Sequence, residues 1–67
     1  GLLADVASTI TRAKADIINA HTETTDYGVV NSYFTIAVES TSQLGKIISD
    51  LRRVKHVKNV KRIVIDD

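Results

Sequence analysis

Apolar residues open the chain at Leu3, Val6, Ala7, Ile10 and Ala13. That is the i, i+3, i+4, i+7 rhythm of one helical face. Asp5 lies in the first turn and Arg12 and Lys14 in the last turns, each at the end where the helix dipole favours its charge. The pattern predicts a helix from about Leu2 to Ala15. Asp16 is its expected stop, because an aspartate side chain competes for backbone hydrogen bonds. A helix entered this abruptly from Gly1 also predicts a strand upstream of the sequence, so that residues 1–67 are read as a fragment of one domain.

The period then shortens from that of a helix to that of a strand. Ile17 to Thr25 is rich in β-branched residues and partly alternating, which predicts a strand. Ile18, Ala20 and Thr22 would share one face, and Ile17, Asn19, His21 and Glu23 the other. Asp26-Tyr27-Gly28 is the expected turn, with Gly28 free to take positive φ. Val29 to Glu39 gives the clearest strand, with Val30, Phe34, Ile36 and Val38 on one face and Tyr33, Thr35, Ala37 and Glu39 on the other. Strand, tight turn and strand make an antiparallel hairpin. Ser40-Thr41-Ser42-Gln43 has the spacing of a capping box and predicts a second helix. Its apolar stripe is Leu44, Ile47, Ile48 and Leu51, extended by Val54. Gly45 inside that helix costs about 1 kcal/mol relative to alanine, and a close approach of another backbone would account for it. Val57 to Ile65 reads as a last strand.

The element order helix, strand, strand, helix, strand implies an α+β fold with both helices on one face of an antiparallel sheet. One strand before Gly1 would complete β-α-β-β-α-β, the ferredoxin-like split unit. In that arrangement the first strand is central and separates the last strand from the hairpin. The expected core sets Leu3, Val6, Ile10, Leu44, Ile48 and Leu51 against Phe34, Ile36 and Val38. At 67 residues the chain is one small domain, of a size that buries only about 60% of the surface its unfolded form exposes. It has no cysteine, so disulfides and thiolate metal sites are excluded. No apolar run approaches the ~18 residues of a membrane span and there is no signal-peptide pattern, so the expectation is a soluble, cytoplasmic module without membrane contact.

Little in the chain suggests catalysis. Its glycines are scattered and form no phosphate loop. His21 and His56 lack the spacing of a metal pair. Ser32, His21 and Asp26 could be assembled into a triad, but so could residues in any chain of this composition. No catalytic residue, metal ligand or cofactor site is therefore assigned. The net charge of +1 is uninformative, yet its distribution is uneven: Arg52, Arg53, Lys55, Lys58, Lys61 and Arg62 are six of the nine Lys and Arg residues and share a window without an acid. A helix C-terminus followed by a solvated edge strand explains such a run. A phosphate-contacting face is the sharper alternative, second to that reading on the residues alone. As a strand this segment would alternate, so Arg52, Lys55 and Lys58 with one of Lys61 or Arg62 is the largest shared surface.

Several motifs occur together in order: Gly1-Leu2-Leu3-x-Asp5-Val6 at the first helix, Asp16-Ile17 at the next strand and Phe34-Thr35-Ile36-x-Val38 in the hairpin. Leu44 and Leu51-Arg52 follow in the second helix, then Val57-x-x-Val60-x-Arg62. Over nearly its whole length the chain resembles an ACT domain, and in particular the C-terminal ACT domain of RelA/SpoT-type (p)ppGpp synthetase/hydrolases. It departs from that pattern at His56, where glycine is frequent, and at Asp16, where asparagine is frequent. The resemblance implies a regulatory domain of a GTP pyrophosphokinase that acts in the stringent response. The parent enzyme would transfer pyrophosphate from ATP to GTP or GDP, and its catalytic domains would lie upstream. The resemblance further implies homodimeric ACT pairing and a small-molecule amino-acid effector at the opening turn, with Gly1, Leu2, Leu3 and Ala4 as effector-binding residues. Contact with ribosomal RNA or tRNA is also implied, for which Arg52, Lys55, Lys58 and Arg62 are the candidates. The alternative is an amino-acid-binding ACT regulatory subunit of the acetolactate synthase small-subunit type.

Overall fold

The computed structural model describes residues 1–63. Helix α1 spans Leu2–Arg12, strand β1 Asp16–Thr24, strand β2 Val30–Ala37 and helix α2 Thr41–Leu51. The two strands form one antiparallel sheet. The architecture is α+β, as the alternation of periods requires.

Helix α1 is shorter than its apolar rhythm. It ends because the backbone reverses at Lys14, which has φ 65. The Ala13 amide donates to the Ile10 carbonyl at 3.2 Å and the Lys14 amide to the Thr11 carbonyl at 2.9 Å, which closes the last turn. The reversal places Ala15 in the interior and starts β1 at Asp16. Asp16 therefore opens the strand, and the left-handed residue two positions earlier is what stops the helix.

The hairpin turn is held by the Thr25 amide on the Val29 carbonyl at 2.8 Å and the Gly28 amide on the Thr25 carbonyl at 2.9 Å. Gly28 takes φ +81, where a side chain would be strained. The register pairs Ile17 with Ile36, Asn19 with Thr35, Ala20 with Phe34 and His21 with Tyr33. A bulge between Ile17 and Asn19 leaves Ile18 without a partner. Simple alternation separates Ile17 from Ala20, but the bulge resets it. Ile17 packs on the core with Ile36 and Phe34, so Ala20, opposite Phe34, shares the helix side with Ile17. His21, Glu23, Tyr33 and Asn31 take the other face.

Helix α2 begins at the predicted cap, Ser40, but the returning bond of the capping box falls one residue earlier, on Glu39. The Gln43 amide donates to Ser40 Oγ at 3.1 Å. The Gln43 side chain reaches back so that Oε1 accepts from the Glu39 amide at 2.6 Å. Its Nε2 donates to the carbonyl of Ala13 at 2.9 Å, across to the end of α1. One glutamine thus caps α2 and satisfies a carbonyl that α1 leaves without an intrahelical partner.

Ile10, Ala15 and Ile47 form the buried core, with Val6, Ala13, Ile17, Phe34, Ile36, Val38 and Leu51 packed around it. Phe34 is only half-buried. Leu3, expected inside, is 51% exposed because it precedes the part of α1 that faces α2. Thr9 is buried, and its hydroxyl donates to the Asp5 carbonyl at 2.8 Å. No Cα of α2 lies within 8 Å of a Cα in β1 or β2, whereas α1 approaches both α2 and β1. Helix α2 therefore leans on α1 more closely than on the hairpin.

The last strand expected over Val57 to Ile65 is not formed by Val57–Ile63; Val64 and Ile65 lie outside the described residues. A strand exists through its ladder to a neighbour. Among the described residues the only ladder joins β1 to β2, and no strand lies beside residues 57–63 to pair with them. The alternating faces expected for Lys58 to Ile63 are absent for the same reason. The turn before this segment is ordered by the Val57 amide on the Val54 carbonyl at 3.1 Å, and His56 within it has φ 76.

Three substitutions test this account by thermal or denaturant unfolding. Gln43→Glu keeps the capping-box acceptor but sets a carboxylate against the Ala13 carbonyl; it is expected to cost about 1–3 kcal/mol. Gly45 is exposed, and a Cβ there meets no atom within 4 Å, so no close backbone approach explains it. Gly45→Ala is expected to stabilise the domain by about 0.5–1 kcal/mol. His56→Gly removes a left-handed non-glycine residue and is expected to add about 1 kcal/mol. Unchanged stability in that variant would show that the His56 conformation carries no strain.

Candidate functional site

The opening turn presents its backbone to solvent. Gly1 is the N-cap of α1 and makes no side-chain cap bond. Its carbonyl accepts from the Asp5 amide at 3.1 Å. The amides of Leu2, Leu3 and Ala4 precede the first intrahelical donor and are left pointing out of the helix end. All four residues Gly1 to Ala4 are exposed. Asp5 stands in the same turn and opposes a second negative charge there. Asp16 lies elsewhere, at the start of β1 opposite Ala37.

The basic segment begins where α2 ends. The Arg52 amide donates to the Ile48 carbonyl and the Arg53 amide to the Asp50 carbonyl, each at 3.1 Å. From this tight turn the two arginines diverge. Arg52 lines a cleft of about 230 Å³ with Val57, Lys58, Asn59 and Val60. The left-handed His56 bends the chain so that Lys58 returns to the side of Arg52. Two of the four sequence-derived RNA-contact candidates, Arg52 and Lys58, thus share a concave surface with the Asn59 amide and two valines. Lys55 and Arg62 are exposed and line neither this cleft nor the next.

Arg53 turns the other way, into an open cleft of about 400 Å³ between the helices, lined by Thr9, Arg12, Ala13, Lys46, Asp50 and Val54 as well. Two cations meet one carboxylate there, and Arg12 lines the same cleft. Asp50 Oδ2 is 3.5 Å from Lys46 Nζ and Oδ1 is 4.0 Å from Arg53 Nη1, both as exposed pairs along one helix. Such pairs contribute little stability, on the order of 0.3–0.5 kcal/mol each. Arg12 Nε donates to the Ser8 carbonyl at 3.4 Å. The Lys46–Asp50 spacing is legible in the sequence as an i, i+4 pair. That Arg12 lines the same cleft as this pair depends on how the helices cross and is not.

The helix-free face of the hairpin holds a second cluster. The His21 and Tyr33 rings stack across the strands with centroids 6.0 Å apart and planes 26° apart. His21 Nε2 lies 3.2 Å from Glu23 Oε1. Tyr33 is legible in the sequence as an exposed aromatic, but its pairing with His21 needs the register after the bulge. Among the described residues, no group of three or more His, Cys, Asp or Glu side chains is placed to hold a metal ion. No helix among them is long and apolar enough to cross a membrane.

These surfaces belong to two helices packed on an antiparallel hairpin, with exposed amides at one end and a basic segment at the other. No curated protein and no solved structure matches the chain. The profile of the ACT domain matches residues 1–62, so the chain belongs to the ACT-domain family.

Proposed function

We propose that this ACT domain is the regulatory C-terminal module of a RelA/SpoT-type (p)ppGpp synthetase/hydrolase. The domain itself carries out no reaction. Elsewhere in the parent protein, pyrophosphate is transferred from ATP to GTP or GDP, and the module reports ribosome or tRNA engagement to that centre. The observation that carries this reading is the cleft in which Arg52 and Lys58 converge beside Asn59. An arginine, a lysine and an asparagine lining one concavity suit a phosphodiester backbone and read no sequence. Paired ACT domains would place two such clefts on one particle. Ile18 and Val29, exposed at 66% and 55%, are the apolar positions that pairing would cover; Ile17 already packs on the core.

The amides of Leu2, Leu3 and Ala4 support a second reading, that of an effector-binding subunit of amino-acid biosynthesis. A helix N-terminus attracts a carboxylate, and Asp5 in the same turn makes such binding weak. Titration with the common amino acids, followed by NMR, separates the two readings: shifts confined to residues 1–5 favour the effector-binding subunit.

The decisive experiment uses the basic residues in the parent enzyme. Arg52→Gln with Lys58→Gln is expected to abolish ribosome-dependent activation, whereas Lys55→Gln alone leaves most of it. In direct RNA binding, all four candidates together should give a log–log salt slope of roughly −3 to −4 on a duplex, and the double variant should lower it by about two. Normal activation of the double variant would reduce the cleft to a solvated surface.

A further inference from the structure

The helix-free face of the hairpin has its own chemistry, independent of the basic cleft. Its side chains form four cross-strand rows: Glu23 opposite Asn31, His21 opposite Tyr33, Asn19 opposite Thr35, and Asp16 opposite Ala37. All eight residues are exposed. Between Lys14 and Lys46 the sequence has no lysine or arginine, while Asp16, Glu23, Asp26 and Glu39 all fall there. The hairpin is therefore an acidic part of a chain in which six of the nine Lys and Arg residues gather between Arg52 and Arg62.

We propose that this face is a docking site for an arginine side chain presented by a basic segment of a partner protein. A guanidinium is the group that its features fit together. It is planar and stacks on an aromatic ring, and Tyr33 offers a ring that is already oriented against His21. It also donates several hydrogen bonds in a fixed fork, which a carboxylate accepts. Glu23 is positioned for that role because His21 engages Oε1 at 3.2 Å and leaves Oε2 without a partner among the described residues. The Asn31 amide stands across from Glu23, where its oxygen can accept from a remaining N–H. A phosphate is disfavoured, since Glu23 repels it and the face has no lysine or arginine. A lysine ammonium would keep the charge attraction but lose the stacking and the fork.

The strand geometry preorganises the site. The bulge at Ile18 puts His21 and Glu23 on the same face as Tyr33 and Asn31. The stack and the His21–Glu23 contact then restrict the two side chains before any partner arrives, which lowers the ordering cost of docking.

The test is a titration of the ¹⁵N-labelled protein with a capped Gly-Arg-Gly-Arg-Gly peptide and with its lysine counterpart. Saturable shifts are expected at His21, Glu23, Asn31 and Tyr33 for the arginine peptide, with the lysine peptide about fivefold weaker. Glu23→Gln and Tyr33→Leu, both at exposed positions, should each weaken binding by about two- to fivefold while the remaining spectrum keeps its dispersion. Equal binding of the two peptides, or no response at these four residues, overturns the proposal. Shifts at the same residues on raising protein concentration alone would identify a second copy as the occupant and overturn the claim of a separate partner. Stronger shifts with a single-stranded oligonucleotide than with the arginine peptide would overturn it in favour of a nucleobase. Each of these results can be obtained whether or not the Arg52–Lys58 cleft binds RNA.

Discussion

The Gln43 side chain joins the two halves of this small domain. Through its main chain and Oε1 it fixes how the chain enters α2, and through Nε2 it holds the carbonyl at the end of α1. The three fully interior apolar residues belong to α1, to the residue that follows its reversal, and to α2. The core thus forms only if the helices meet in one relative position. Hydrophobic attraction is non-directional and would accept several crossings of two short helices. The glutamine specifies one of them. The cleft between the helices, which Arg53 lines, follows from that choice.

Local signals in the sequence were enough where neighbouring residues decide the structure. The second helix is legible from Ser40 and Gln43, the hairpin from its β-branched runs around Gly28, and the basic segment from its charge. Tertiary geometry decided the rest. Nothing around Ile18 marks it as the residue the ladder omits, so the two faces of β1 could not be sorted from alternation alone. The end of α1 was misplaced because Lys14 takes a left-handed conformation without being glycine. His56 does the same, at the position where the family resemblance leads one to expect glycine. The run from Val57 has strand composition, but composition supplies no neighbour.

The candidate sites divide along the same line. The exposed amides of Leu2 to Ala4 follow from the helix start and could be anticipated. That Arg52 and Lys58 share a cleft while Lys55 points elsewhere depends on the turn at His56. The His21–Tyr33–Glu23 cluster needs the register after the bulge. Charge also becomes informative only by position: a net value near zero conceals an acidic hairpin and a basic segment from Arg52 to Arg62, which attract different partners.

The small interior has a thermodynamic consequence. With Ile10, Ala15 and Ile47 as the buried apolar residues and Leu2, Leu3, Ile18, Val29 and Val30 open to water, much of the free energy available to this fold lies on surfaces still exposed. Any molecule that covers them only in the ordered state raises the population of that state by mass action. At one hundred times its dissociation constant a ligand contributes about 2.7 kcal/mol, a large fraction of the stability of a domain this size. Occupancy and order are then one equilibrium seen from two sides.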